Sequence, residues 1–329
     1  MHLYHVSELS SISTMSQTRK KRILGDVKRA RRQRTLATTV VVAVVMVGVI
    51  LGVIFLYHPQ SPDPLIGTPI PATLYEQLAG VSNATLRAVG SGQGATGLTS
   101  EKGSALTLDV KPEMLYIGAE FCPYCAAERW SMIVALSRFG TFSSGLTYME
   151  SSSTDIYPNT PTFSFRNAIY ASNYISFVSV ETQDRNRGAL QTPTPQEQGF
   201  MNSYDSAGSI PFVDIGNQTG NQYVTLNGGS QYLPSVLSGL NWTQIASQLN
   251  YPNSAVAKAV DGAANYLITA ICKVDGGNPS TVCSQSYAGL TMGAYVVSNM
   301  PPGFSLNLMN TSDSQPWFLS WRNSLRLIW

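Results

Sequence analysis

The chain has 329 residues, enough for one large domain or two small ones. Charged residues make up only 12% of it, and the formal net charge of +2 hides a split. Nine of the 21 Lys and Arg lie between Arg19 and Arg34, while from His58 onward 12 basic residues meet 17 acidic ones. A mildly acidic body excludes a nucleic-acid footprint. Its three histidines, His2, His5 and His58, lie before or at the edge of that body, which excludes Ser-His-Asp and Cys-His catalysis within it.

Residues 35–57 form a run of 23 without a formal charge. At about 1.5 Å of helical rise per residue the run crosses a hydrocarbon core of about 30 Å. A buried core helix seldom stays apolar on every face for so long. A cleaved signal has an apolar region of about 7–15 residues and ends at small residues, whereas this run ends in Phe55, Leu56 and Tyr57. The expectation is an uncleaved single-pass anchor. Its preceding basic cluster places the 1–34 tail in the cytoplasm and everything after His58 outside, at the cell membrane. Met15, directly before the basic run, is a candidate start.

Residues 58–71, with five prolines, read as a stiff spacer. Helical spacing of Leu74, Leu78 and Val81 predicts a helix over 72–87, followed by a Gly/Ser-rich loop over 90–104. Residues 105–110 alternate as a strand that Lys111-Pro112 breaks, and 113–120 form a buried strand. Residues 123–139 form a helix with Ala126, Trp130, Ile133, Val134 and Leu136 on its apolar face. A strand follows at 145–151, then irregular chain over 152–172, a strand at 174–182 and a short helix at 195–204. A strand pair at 209–217 and 222–228 leads to helices at 242–249 and 254–272.

Four cysteines lie beyond the anchor, and an even extracytoplasmic count favours disulfides. Two of them stand in Gly118–Trp130, GAEFCPYCAAERW. The order strand, CPYC, helix puts Cys122 at a helix N-terminus, where free N–H groups and the helix dipole favour the attacking thiolate. Cys125, one turn in and more buried, is the natural resolving thiol. Pro123 suits the first turn because its missing N–H has no partner there to lose.

These residues resemble the thioredoxin superfamily, through Ala119, Glu120, Phe121, Cys122 and Cys125, and through Ile210-Pro211 at the start of a strand. The whole layout is similar to the membrane-anchored thioredoxin-like proteins grouped as domain of unknown function family 929, over roughly residues 70–300. The resemblance implies an α/β fold: a thioredoxin-like mixed sheet flanked by helices, preceded by one transmembrane helix. The extracytoplasmic domain would span 72–329 with an insertion at about 152–204, which either shapes a substrate surface or decorates the fold. It also implies a cis Ile210–Pro211 bond and a substrate groove lined by Pro123, Tyr124, Ile210 and Pro211. The activity implied is thiol–disulfide exchange on protein thiols and disulfides, with a membrane redox partner and no cofactor. Where the superfamily holds a buried Asp six residues before the first Cys, this chain has Tyr116, whose hydroxyl cannot move protons near neutral pH. Glu120 and Glu128 are possible substitutes; Glu120 reads better as a groove-edge residue and Glu128 as a solvated helix acid.

Other readings of CPYC stand beside this one. Zinc would need Cys272 and Cys283 as a second thiolate pair, since no histidine is at hand and an oxidising compartment works against thiolates. An inert CPYC disulfide would close almost no loop and add little stability. Cys272 and Cys283 flank a ten-residue Gly/Pro/Asn turn, and a bridge there is worth up to a few kcal/mol, so a structural disulfide is expected, with a second redox pair as the alternative. Two non-enzymatic readings remain: a redox-inert peptide-binding module and an assembly subunit. The aromatic stripe of Trp317, Phe318 and Trp321 would serve core packing, a partner contact or the membrane interface. Asn83, Asn217, Asn241 and Asn310 stand in glycosylation sequons.

Overall fold

The structure is a computed structural model. It describes residues 63–284 except 94, 96–97 and 226–227, and near the N-terminus residues 22, 28–29 and 31–50. The end of the apolar run at 51–57, residues 58–62 of the Pro-rich spacer, Asn310 and the C-terminal aromatic stripe lie outside the described residues.

Helix α1 (Arg31–Ile50) is long and apolar enough to cross a membrane; its most apolar window has a mean hydropathy of 1.8 and none of it is buried. Such a helix exposes Val40, Val41, Val44 and Val45 to whatever surrounds it, and a helix apolar on all faces belongs in lipid or a core.

Next come α2 (Ala72–Ala79) and α3 (Asn83–Val89). The expected single helix over 72–87 is therefore two, because Gly80 ends the first and the Ser82 hydroxyl caps the second by accepting the Thr85 N–H. Strand β1 (Thr99–Lys102) falls in what reads as a Gly/Ser loop. Strands β2 (Thr107–Leu108) and β3 (Lys111–Gly118) form a hairpin whose two-residue turn, Asp109–Val110, has positive φ at both positions. That is the turn whose twist matches paired strands, so the chain reverses there and Lys111-Pro112 begin β3 rather than break a strand. Helix α4 (Pro123–Leu136) follows directly.

Strands β4 (Gly140–Ser144), β5 (Thr147–Glu150), β6 (Pro161–Ser164) and β7 (Ile169–Ser172) pair as two small antiparallel sheets, β4 with β7 and β5 with β6. After β8 (Ser176–Glu181) come α5 (Pro195–Tyr204), β9 (Phe212–Gly216) and β10 (Asn221–Val224). A 3-10 turn at Pro234–Leu237, α6 (Trp242–Gln248), α7 (Ala255–Val274) and α8 (Ser280–Cys283) complete the described chain.

The main sheet is mixed. β3 lies at its centre, parallel to β8 on one side and antiparallel to β9 on the other; β10 and then β1 extend the β9 side. Side chains alternate across it. Met114 and Tyr116 enter the large core with α4 and α7, while Leu115 and Ile117 enter a smaller core with Phe200 and Met201 of α5. Residues 152–204 hold β6, β7, β8 and α5; β8 pairs in parallel with the central strand β3, and Phe200 and Met201 of α5 pack in the smaller core.

Candidate functional site

Cys122 closes the loop that follows β3 and is the N-cap of α4. Its sulfur accepts the N–H of Cys125 at 3.2 Å, so one unpaired donor of the first helical turn points at it. Pro123 occupies the first turn, where no backbone donor is lost. Both cysteines are free thiols; Cys122 is 5% exposed and Cys125 is fully enclosed. The hydrogen-bonded Cys125 thiol draws the Cys122 thiol below its ordinary pKa; burial opposes this, and the Cys125 N–H and the charge of Arg129 add to it. Cys125 is pushed well above its ordinary value, first by burial and then by its bond to Cys122. The arrangement therefore makes Cys122 the more readily ionised thiol of the pair.

Ile210 and Pro211 lie against this pair. The Cys122 sulfur is 3.9 Å from the Ile210 carbonyl oxygen, and the Ile210–Pro211 bond is cis. Tyr124 is half-buried at the rim, its ring edge-on to Tyr157 at 5.9 Å. Four residues that sequence reasoning did not single out complete the rim. The Ser152 N–H donates to the Phe121 carbonyl at 2.8 Å. The Arg187 guanidinium stands 3.9 Å over the Phe121 ring and pairs with Asp155 at 2.9 Å. The loop after β5 is thus fastened to the CPYC loop. Only the scattered aromatics of 152–172 signal this, because the contacts join positions some 30 residues apart.

Behind the thiols the chain buries charge. Arg129 and Glu181 are both fully enclosed and joined through two hydrogen bonds of 2.9 and 2.7 Å. Glu120 is buried and accepts the Ser164 hydroxyl at 2.6 Å, and burial raises its pKa. Glu128 is fully buried, accepts the Gln231 N–H at 2.9 Å, and is pushed up to about 7 by burial. Neither is the groove-edge or solvated acid the sequence suggests. Helix α4 is enclosed on both sides, by the sheet and by α7 and β6, so it has no solvent face to offer them. Tyr116, also fully buried, is held by its burial well above its ordinary pKa.

Cys272 and Cys283 are bonded to each other. The Asn217 amide, just past the far end of β9, donates to the Val274 carbonyl beside this bridge. Pro211 directly precedes β9 and Asn217 directly follows it, so a strand rise of about 20 Å separates the two cysteine pairs. The structure does not gather the four sulfurs into one site. Among the described residues, no group of three His, Cys, Asp or Glu is placed to hold a metal ion.

A family model described as a domain of unknown function (DUF929) matches residues 101–273, more than half of the chain. The chain belongs to the DUF929 family. No curated protein and no solved structure matches it. The DUF929 match runs from β1 to the last turn of α7. It contains CPYC, the β5–β6 loop, Arg129, Glu181 and Ile210-Pro211, and it ends between the two cysteines of the bridge.

Proposed function

We propose that this DUF929 protein is a membrane-anchored thiol–disulfide oxidoreductase with a thioredoxin-like fold. The observation that carries the reading is the asymmetry of one cysteine pair. Cys122, at a helix N-terminus, is drawn toward thiolate, and Cys125, enclosed one turn behind it, is held as thiol. In the reducing direction the Cys122 thiolate attacks a substrate disulfide and one substrate sulfur leaves as thiolate. Cys125 then loses its proton and attacks Cys122, releasing the second substrate sulfur. Two electrons pass to the substrate and the enzyme keeps a disulfide; the oxidising direction is the reverse.

The fold reading draws support from the parallel pairing of β3 with β8, the antiparallel β9 and β10 on the other side, and Ile210–Pro211 entering β9 beside Cys122. The membrane reading rests on α1 and the basic residues before it; the cysteine-bearing body would lie outside, facing secreted or membrane proteins. Protein substrates would meet Tyr124, Tyr157, Ile210 and Pro211 at the rim.

Thiol trapping tests the reading. The purified chain is equilibrated in glutathione buffers, quenched and alkylated. Reversible loss of two reactive thiols, absent in Cys122→Ser, is the expected result. A wild-type chain whose thiols never exchange would leave the enzyme reading without support.

A further inference from the structure

Six residues before Cys122 stands the fully buried Tyr116, whose hydroxyl burial holds well above its ordinary pKa, so it brings no charge to the sulfurs from within. Arg129 is the charge in position to act on them. It stands four residues after Cys125 on α4 and so on the same helix face. Its Nη2 donates to the Ala119 carbonyl at 2.8 Å, and the Cys122 N–H donates to that same oxygen at 3.3 Å. Its guanidinium carbon lies 5.6 Å from the centroid of the Tyr116 ring. Its Nη1 has no hydrogen-bond partner among the described residues. Glu181 holds the other edge of the fork through Nε and Nη2, and the Glu181 carboxylate is itself anchored by the Phe165 N–H at 3.2 Å.

We propose that Arg129 is the positioning residue that sets thiolate stability at the Cys122–Cys125 pair, with Glu181 holding its guanidinium in place beneath the CPYC loop. This rests on the redox reading above and deepens it. A fixed cation in a dry interior favours the thiolate of the reduced pair, because burial leaves little water to screen it. The disulfide carries no charge and gains nothing. Arg129 therefore favours the reduced form and makes the oxidised pair a stronger electron acceptor. The charge of Arg129 acts to lower the pKa of both thiols. A neutral ion pair has this effect where its cation is the charge coupled to the sulfurs: the guanidinium shares a backbone acceptor with Cys122, whereas the Glu181 carboxylate is bonded to Arg129 and the Phe165 N–H.

The test is a variant series on the full chain in detergent, read in two ways. The first is the pH profile of Cys122 alkylation by iodoacetamide, which needs no redox exchange. The second is the equilibrium constant for oxidation by glutathione disulfide. Arg129→Met paired with Glu181→Gln removes both charges and keeps an acceptor for the Phe165 N–H, so it avoids a lone buried charge. The pair of substitutions is expected to slow alkylation at pH 7 by about tenfold and to raise the oxidation constant by a similar factor. Arg129→Met alone leaves the Glu181 charge and shifts both further. Arg129→Lys keeps a cation but loses the two-point hold of Glu181, so it should fall between wild type and Arg129→Met in both readouts. That partial rescue separates charge from packing, which a merely structural role would not do. An unchanged alkylation profile in the folded double variant, or Arg129→Lys behaving like Arg129→Met, overturns the proposal. Failure of wild-type exchange would instead sink the redox reading, since the alkylation profile is independent of it.

Discussion

The Cys122 sulfur and the Ile210 carbonyl oxygen lie 3.9 Å apart, across the junction of α4 and β9. Cys122 keeps a little exposure beside this carbonyl, while Cys125 is fully enclosed. Removing Cys125 should therefore strand substrates on Cys122. Cys125→Ser is expected to accumulate mixed disulfides with glutathione that persist for hours, seen as a mass increase of the intact protein. Cys122→Ser should form none. Equal labelling of both variants would contradict the assigned order of attack.

The rim separates small from large substrates. Tyr157 packs edge-on to Tyr124 and belongs to the loop whose Ser152 N–H is fastened to the Phe121 carbonyl. Glutathione is too small to need that surface. Tyr157→Ala should leave glutathione exchange within about twofold and slow exchange with a folded protein disulfide by about threefold or more. Stopped-flow rates with both substrates check it; equal effects on both would remove the rim from substrate recognition.

Buried carboxyls, Glu113, Glu128 and Asp214 among them, make stability depend on pH. Burial pushes Glu113 and Glu128 up to about 7, with Glu197 adding to the rise at Glu113, and pushes Asp214 up to about 8, with Glu113 adding to it. Each holds its proton more tightly folded than unfolded, so the folded state binds more protons between the ordinary and raised values. The stabilising contribution is complete below about pH 4 and is lost as pH rises toward 8. The melting temperature is expected to fall steadily from pH 5 to pH 8. Asp214→Asn should flatten that slope and stabilise the protein by about 1–3 kcal/mol at pH 8. A melting temperature that is flat or rises over this range would contradict the assignment.

The Cys272–Cys283 bridge ties the end of α7 to α8 across a separation of 11 residues. Loop-closure entropy gives such a bridge about 2–3 kcal/mol. Replacing both cysteines with serine should lower urea stability by that amount and leave the CPYC exchange equilibrium where it was, because β9 separates the two pairs. A shift of the CPYC equilibrium would revive a relay between them.

The CPYC–helix unit was legible because its signals are local: a strand, a capping sulfur, a proline at the first turn and an apolar helix. The α7 stripe of Val256, Val260, Ala264, Leu267 and Ile271 was equally plain, since one helix face carries it. Glu128 and Arg129 were not legible. Two adjacent charges cannot share a helix face, and the sequence does not tell that Glu181 would meet Arg129 and the Gln231 N–H would meet Glu128. Arg129 is matched by Glu181, 52 residues later, and no spacing rule connects them. β1 was hidden for a different reason. Thr99–Lys102 is an edge strand with half-exposed residues and no large apolar side chain, so it is held by backbone pairing to β10 rather than by pattern.

The most direct test of the central claim is a glutathione redox titration of the full chain in detergent, with thiol trapping read by mass. The account predicts a single two-electron transition belonging to Cys122 and Cys125, lost in Cys122→Ser, while Cys272 and Cys283 stay oxidised throughout. A wild-type protein in which Cys122 and Cys125 never exchange with glutathione at any ratio would contradict it.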